Sequence, residues 1–204
     1  MPVTFEIERV CPEILLWRFY DPAVKADLFS TALETPLGMY LIDPIPLRPD
    51  ASGSLASGVK VAGIIVTNEN HERAAAQFAE QFGVPVYLDT TRIRAPTLSG
   101  ALPFWQPRSP AGLTAIEIEG GPGGEIAIHY DLQDGVMVIG DALINFEPYG
   151  FALLPPKYCS NFKLMRRSLS KLLDYSFERM LFAHGMPILS KARQRLEELL
   201  KEQR

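Results

Sequence analysis

The chain has 204 residues, of which 47% are hydrophobic, so it can form one large domain or two small ones around a substantial core. No apolar run approaches the roughly 20 residues that cross a bilayer, and the first residues lack the basic and apolar stretches of a signal peptide. A net charge of −4 argues against nucleic acid as a partner. We therefore expect a single cytoplasmic domain, residues 1–204, that binds neither nucleic acid nor a membrane.

The first half of the chain predicts a meander of short antiparallel strands. Proline and glycine turns separate runs rich in β-branched and aromatic residues, which lie at 5–9, 14–20, 28–33 and 39–43. A connector rich in Pro, Ser and Gly follows at 46–58. The apolar run 61–66 then predicts a strand that is covered on both faces.

Helices enter the pattern after this strand. Ala75, Phe78, Ala79 and Phe82 recur with helical spacing and predict a helix over about 72–82. Further elements are predicted at 84–88, 113–118, 126–130, 136–139, from Asn161 onward, at 180–183 and at 190–202. Strands, then strands mixed with helices, then both again, predict an α+β fold in which two sheets pack face to face with helices outside.

Five segments occur in an order that is typical of one superfamily. They read LIDP at 41–44, IIVTNENHER at 64–73, GGPGGE at 120–125, GVMVIGDAL at 135–143 and FAHGMPI at 182–188. Together they resemble the metallo-β-lactamase-fold hydrolases, and the resemblance covers nearly the whole chain. It implies a single domain with a four-layer αββα sandwich, and it implies a site at the segment ends that carries a metal in the family.

The resemblance also shows where the metal ligands have changed. Family members hold two metal ions through histidines and aspartates, several of which come from a T-H-x-H-x-D-H loop. In this sequence the two asparagines replace the first two histidines, a glutamate replaces the aspartate and an arginine replaces the third histidine: Asn68, Asn70, Glu72 and Arg73. The loop therefore lacks the ligand set that the family uses.

Outside this loop the match is partial. Gly121 stands at the fourth histidine position, whereas Asp141 and His184 match family ligands. An asparagine amide is a weak metal donor, glycine has no side chain, and a permanently charged arginine repels a cation. These replacements predict that the dinuclear site is lost and that no metal cofactor is bound.

Neighbouring residues leave an alternative open. Glu69 and His71 are each offset by one position from the lost ligands, so they could join Asp141 and His184 in a rebuilt site for zinc or another divalent metal. The competing interpretation places His71 at the start of the helix, in contact with solvent. Of these two interpretations, the sequence favours the second.

Without metal ions, Asp141 would be a buried carboxylate that lacks a positive partner, which is energetically costly. The resemblance places Arg73 at the same cavity. We therefore hypothesise that the Arg73 guanidinium pairs with Asp141, with Glu72 as a further partner.

Two functions follow from these predictions. In the leading one, Asn68, Asn70, Arg73 and His184 form a polar cleft that binds a small anionic molecule in a non-catalytic protein or pseudoenzyme. In the alternative, a rebuilt or single-metal site hydrolyses an ester, thioester or similar bond. The apolar segment 149–158 predicts a cover over the cleft or a subunit contact, so a homodimer is a further expectation.

Overall fold

The first sheet follows the order of its strands along the chain. A computed structural model describes residues 6–48, 51, 55, 58–93, 98–104 and 111–202. The six strands of this sheet are β1 (Glu8–Cys11), β2 (Ile14–Asp21), β3 (Ala26–Thr35), β4 (Gly38–Ile42), β5 (Val61–Ile65) and β6 (Val86–Tyr87). Strands β1 to β4 are antiparallel, whereas β4, β5 and β6 are parallel. Helix α1 (Ala75–Phe82) supplies the crossover that the parallel pair β5 and β6 requires.

The second sheet has four strands in the order β12-β9-β8-β7. These are β7 (Leu113–Glu117), β8 (Ile126–Tyr130), β9 (Val136–Ile139) and β12 (Arg179–Phe182). A separate hairpin of β10 (Leu143–Phe146) and β11 (Gly150–Leu153) and helix α2 (Phe162–Leu169) connect β9 to β12, which are parallel. Helix α3 (Ala192–Glu202) follows β12.

Alternation along the buried strands creates the layers of the fold. In β4, Tyr40 and Ile42 belong to the apolar cluster between the two sheets. Met39 and Leu41 point to the opposite face, where they share a cluster with Phe78 of helix α1. Because successive side chains of a strand alternate between faces, one continuous apolar run serves two layers.

The second sheet repeats this arrangement. Val138 of β9 packs between the sheets, while Ile139 packs in the outer cluster with Met165 of helix α2 and Leu196 of helix α3. The helices therefore cover the outer face of each sheet, and the predicted four-layer αββα sandwich is confirmed. No helix in the described part of the chain is both long enough and apolar enough to span a membrane.

Two local predictions differ from the structure. The first helix begins at Ala75 and not near Glu72, because Arg73 has a positive φ of 38°, which is incompatible with a right-handed helix. The apolar segment 149–158, for which no strand or helix was predicted, contains strand β11 and a short 3₁₀ helix at Pro156–Tyr158. Four-residue strands give too little periodicity to be recognised from sequence.

Two glycines with left-handed backbones test how tightly the loop after β12 is packed. Gly185 has a φ of +113°, and a β-carbon there would collide with the backbone carbonyl of Asn145. Gly83 has a φ of +65° but faces open space. We expect Gly83→Ala to lower the free energy of unfolding by about 1 to 2 kcal/mol, which is the cost of the backbone conformation alone. Gly185→Ala should cost about 1 to 3 kcal/mol more, because the collision must also be relieved.

Urea unfolding of the two variants measures this difference. Gly83→Ala is the matched control, since both substitutions add one methyl group at a positive φ. Equal losses of stability would show that the loop after β12 yields freely, contrary to the packing described.

Candidate functional site

Polar side chains meet where four buried strands end. Asp43 follows β4, Thr67 follows β5, Asp141 follows β9 and His184 follows β12. Because β4 and β5 are parallel, as are β9 and β12, the carboxyl ends of each pair lie at one edge of the sandwich. The fold thus brings together side chains that are up to 141 positions apart in sequence, from Asp43 to His184.

Asp141 is the centre of this cluster. Its Oδ1 lies 3.1 Å from Nε2 of His71 and 3.2 Å from Nε2 of His184. Its Oδ2 accepts hydrogen bonds from the side-chain amides of Asn68, at 3.1 Å, and Asn70, at 3.3 Å. One carboxylate oxygen therefore faces two imidazoles and the other faces two amides.

His71 is held by a second carboxylate on its other ring nitrogen. Its Nδ1 lies 2.9 Å from Oδ2 of Asp43 and 2.9 Å from Oγ1 of Thr67. Thr67 also donates from its backbone N–H to Oδ1 of Asp43, at 2.8 Å. The prediction that His71 contacts solvent is wrong: the residue is 2% exposed, because the loop after β5 turns its ring inward between the two carboxylates.

The carboxylates around His71 determine its charge in the metal-free protein. Burial lowers the pKa of His71, but the negative charges of Asp141 and Asp43 outweigh this effect and raise the pKa to about 9. Burial also raises the pKa of Asp141, yet the positive charge of His71 and a hydrogen bond from His184 hold that pKa well below its usual range. Both pKa shifts favour an ion pair between His71 and Asp141 in the metal-free protein.

Glu125, at the end of the glycine turn, was not predicted as a site residue. It is 0% exposed, and its carboxyl group accepts hydrogen bonds from the amide of Asn68, at 2.6 Å, and from the backbone N–H of Ala142, at 2.9 Å. Burial first, and the charge of Asp141 second, raise the pKa of Glu125 to about 8. The sequence signal was a single acidic residue directly before the apolar strand β8.

Arg73 does not form the ion pair that the sequence suggested. Its Nη1 donates to the backbone carbonyls of Phe29, at 2.9 Å, and Asp43, at 3.2 Å. Among the residues that the structure describes, it makes no salt bridge with Asp141, whose positively charged neighbour is His71 instead. The prediction of an Arg73–Asp141 ion pair is therefore wrong, because the imidazole of His71 occupies the position beside the carboxylate.

The remaining predicted residues lie at the margin of the cluster. Gly121 packs against Glu125, whose Cγ would be 3.1 Å from an added β-carbon. The partly buried Glu72 accepts a backbone hydrogen bond from Ala75 at the start of helix α1. Glu69 is exposed and accepts a hydrogen bond from the backbone of Gly123, so it points to the glycine turn.

The set proposed for a rebuilt metal site is therefore brought together in part. His71, Asp141 and His184 offer one donor atom each, and these atoms lie within 4.8 Å of one another. Glu69 is not a member of this group in the described part of the chain.

Comparison with known families agrees with this arrangement of strand ends and loops. Residues 7–202 match the family model described as the metallo-beta-lactamase superfamily. The chain belongs to the metallo-beta-lactamase superfamily. No protein with a curated function matches the sequence closely enough to count as a relative.

Solved structures of the superfamily share the fold at low sequence identity. DIM-1 metallo-beta-lactamase is 14% identical with a TM-score of 0.72, over 100% of this chain and 99% of that chain. The metallo-beta-lactamase from Pontibacter korlensis is 14% identical with a TM-score of 0.73, over 96% and 98%. A protein crystallised in a di-iron-bound form is 24% identical with a TM-score of 0.58, over 83% and 92%. These similarities establish the fold alone, so the chemistry must be inferred from the residues of the site.

The metals of the superfamily raise the question of whether this cluster fits one. Two imidazoles and one carboxylate are a ligand set of catalytic zinc sites. Donor atoms that share a zinc ion at 2.0–2.2 Å lie about 3.4 Å apart, close to the observed 3.1 and 3.2 Å. Nε2 of His71 is buried and lies 3.1 Å from Oδ1 of Asp141 without the geometry of a hydrogen bond, while Asp43 holds the opposite nitrogen, as carboxylates behind metal-bound histidines do. The types of these three donors suit one divalent metal ion, and the donor atoms lie within 4.8 Å of one another.

A substitution at Asn68 tests the hydrogen bonds that hold the carboxyl groups. Its amide donates to both Glu125 and Asp141, so Asn68→Asp would place a third carboxyl group between them. We expect this variant to lose about 3 kcal/mol or more of unfolding free energy in chelator, whereas Asn68→Ala should lose about 1 to 3 kcal/mol through unsatisfied acceptors.

Urea unfolding in chelator measures both effects. Asn161→Asp is the control, because Asn161 caps helix α2 by accepting from the backbone of Leu164, and aspartate caps equally well. If Asn68→Asp were as stable as the unmodified protein, the amide bridge would not contribute to stability.

Proposed function

We propose that the protein is a hydrolase that has exchanged the dinuclear centre of its superfamily for a single divalent metal ion, held by His71, Asp141 and His184. The observation that carries this proposal is the convergence of both imidazole Nε2 atoms on one oxygen of Asp141, at 3.1 and 3.2 Å. A bound divalent metal would supply Lewis-acid chemistry, which polarises a carbonyl or phosphoryl oxygen. The substrate bond that we propose is an ester, thioester or similar bond.

The hydrogen bonds of the residues at the replaced ligand positions support one metal ion in place of two. Asn68 and Asn70, at the first two histidine positions, donate hydrogen bonds to Oδ2 of Asp141. This leaves Oδ1 as the oxygen that faces the two histidines. Arg73, at the third histidine position, donates to backbone carbonyls. The two asparagines thus position the remaining ligand carboxylate.

Other residues of the chain would orient the donors and admit a substrate. Asp43 and Thr67 fix the ring of His71, so that Nε2 faces Asp141. The side chains of Asp141 and His184 are 11% and 14% exposed, and Asn70 is exposed, so the cluster is reached from this side. A substrate would therefore approach past Asn70 and His184.

Metal analysis of protein purified without chelator tests the proposal. We expect about one zinc, iron or manganese ion per chain by elemental analysis. His71→Ala and His184→Ala should each weaken zinc binding at least about tenfold in a calorimetric titration, because each removes one of three protein ligands. His129→Ala is the control, since the third histidine of the chain bonds the backbone of Ser176 away from the cluster.

Three results would contradict the single-metal proposal. Two metal ions per chain would mean that a dinuclear centre persists, and protein that binds no metal would mean that the centre is lost altogether. An equal loss of zinc binding in His129→Ala and His71→Ala would show that the ion is held elsewhere.

A second candidate is a non-catalytic binding protein or pseudoenzyme that uses no metal. It is favoured by the position of His71 between two carboxylates, 2.9 Å from Asp43 and 3.1 Å from Asp141. An imidazolium in this position balances buried negative charge without a cation from solution. The metal analysis separates the two candidates directly.

A further inference from the structure

Arg73 occupies a gap in the hydrogen bonding of strand β3. The backbone N–H of Phe29 donates to the carbonyl of Ala183, at 2.9 Å, and the carbonyl of Phe29 accepts from Nη1 of Arg73, at 2.9 Å. Both backbone groups of one strand residue point to the same side. The guanidinium therefore lies beside Ala183, the residue that precedes His184, at the edge of the proposed metal site.

The two terminal nitrogens of this guanidinium differ in their hydrogen bonding to the described residues. Nη1 donates to two carbonyls, those of Phe29 and Asp43. Nη2 is buried and has no hydrogen-bond partner among the residues that the structure describes. An unpaired buried donor costs about 1 to 3 kcal/mol, so its burial needs a reason. Because Nη1 fixes the planar group, the two N–H donors of Nη2 are held in one orientation.

Neighbouring carboxylates do not use these donors. Asp43 is hydrogen-bonded by Thr67 and His71, and Asp141 faces His71 and His184. A second buried atom, Nδ1 of His184, also lacks a partner among the described residues. A buried donor such as Nη2 is normally satisfied by a polar group, which the described residues do not supply here.

We propose that Nη2 of Arg73 binds an anionic oxygen of a small ligand, a phosphoryl or carboxylate group, beside the His71–Asp141–His184 cluster. Guanidinium groups bind both kinds of oxygen with charge-assisted hydrogen bonds. That this anion belongs to a substrate rests on the proposed hydrolase function, whereas the binding of an anion by Arg73 does not. The subsite assigns the substrate to negatively charged esters, thioesters or related compounds.

Calorimetric titration with inorganic phosphate, and separately with acetate, tests the subsite. Each anion is titrated into zinc-loaded and chelator-treated protein, because phosphate also binds zinc. In Arg73→Lys the charge is kept, but the single ammonium that serves the carbonyls of Phe29 and Asp43 has one N–H left, in place of the two donors that Nη2 holds in one orientation. We expect at least tenfold weaker binding of the preferred anion in both protein forms. The stronger of the two anions identifies the group.

Two control measurements keep the result interpretable. Arg18→Gln removes an exposed arginine on the neighbouring strand β2, which pairs with Asp27, and should leave anion binding unchanged. Urea unfolding of Arg73→Lys establishes that the fold is retained, and Arg73→Gln provides a second variant that keeps amide donors but no charge.

The outcomes separate this inference from the proposed function. Equal anion affinity in Arg73→Lys and the unmodified protein would overturn the inference, as would the absence of phosphate and acetate binding in both protein forms. Arg73-dependent binding to a protein that takes up no metal would uphold the inference and overturn the hydrolase proposal. Metal uptake with anion binding that does not depend on Arg73 would do the reverse.

Discussion

The rest of the site depends on the contacts of the Asp141 carboxylate, whose two oxygens face different partners. Amides of Asn68 and Asn70 hold Oδ2, so Oδ1 faces His71 and His184. A buried carboxylate is stable only when charge or hydrogen bonds compensate it, and here both of its oxygens are served. The approach of two imidazoles to one carboxylate oxygen requires a physical cause. A shared cation and a buried ion pair are the two physical answers, and the single-metal proposal takes the first.

The altered loop reuses its residues in new roles. Asn68 links Asp141 to the buried acid Glu125, so the side chain at a former histidine position joins two carboxyl groups. Arg73 donates a hydrogen bond to the carbonyl of Phe29 in strand β3, as the backbone of a neighbouring strand would. His71 enters the cluster from a position that carries no ligand in the family motif. The hydrogen bonds of Asn68 and the contact of His71 therefore tie this loop to Asp141.

The sequence pattern was sufficient to predict the layers of the fold. Strands such as 39–42 and 136–139 are apolar at every position, so they must be covered on both faces. The pattern could not locate the ring of His71, because the direction of a side chain in an irregular loop depends on backbone angles that no periodicity encodes. Glu125 was missed for a related reason: its burial depends on a hydrogen bond from Asn68, 57 positions away. A cytoplasmic location, a homodimer and the absence of nucleic-acid and membrane partners stay predictions.

The most direct test of the central claim is anomalous diffraction at the zinc edge from crystals of the unmodified protein grown with zinc. The single-metal proposal predicts one anomalous peak, at bonding distance from Nε2 of His71, Nε2 of His184 and Oδ1 of Asp141. Two peaks in the cluster, or no peak with His71 still between Asp43 and Asp141, would contradict it.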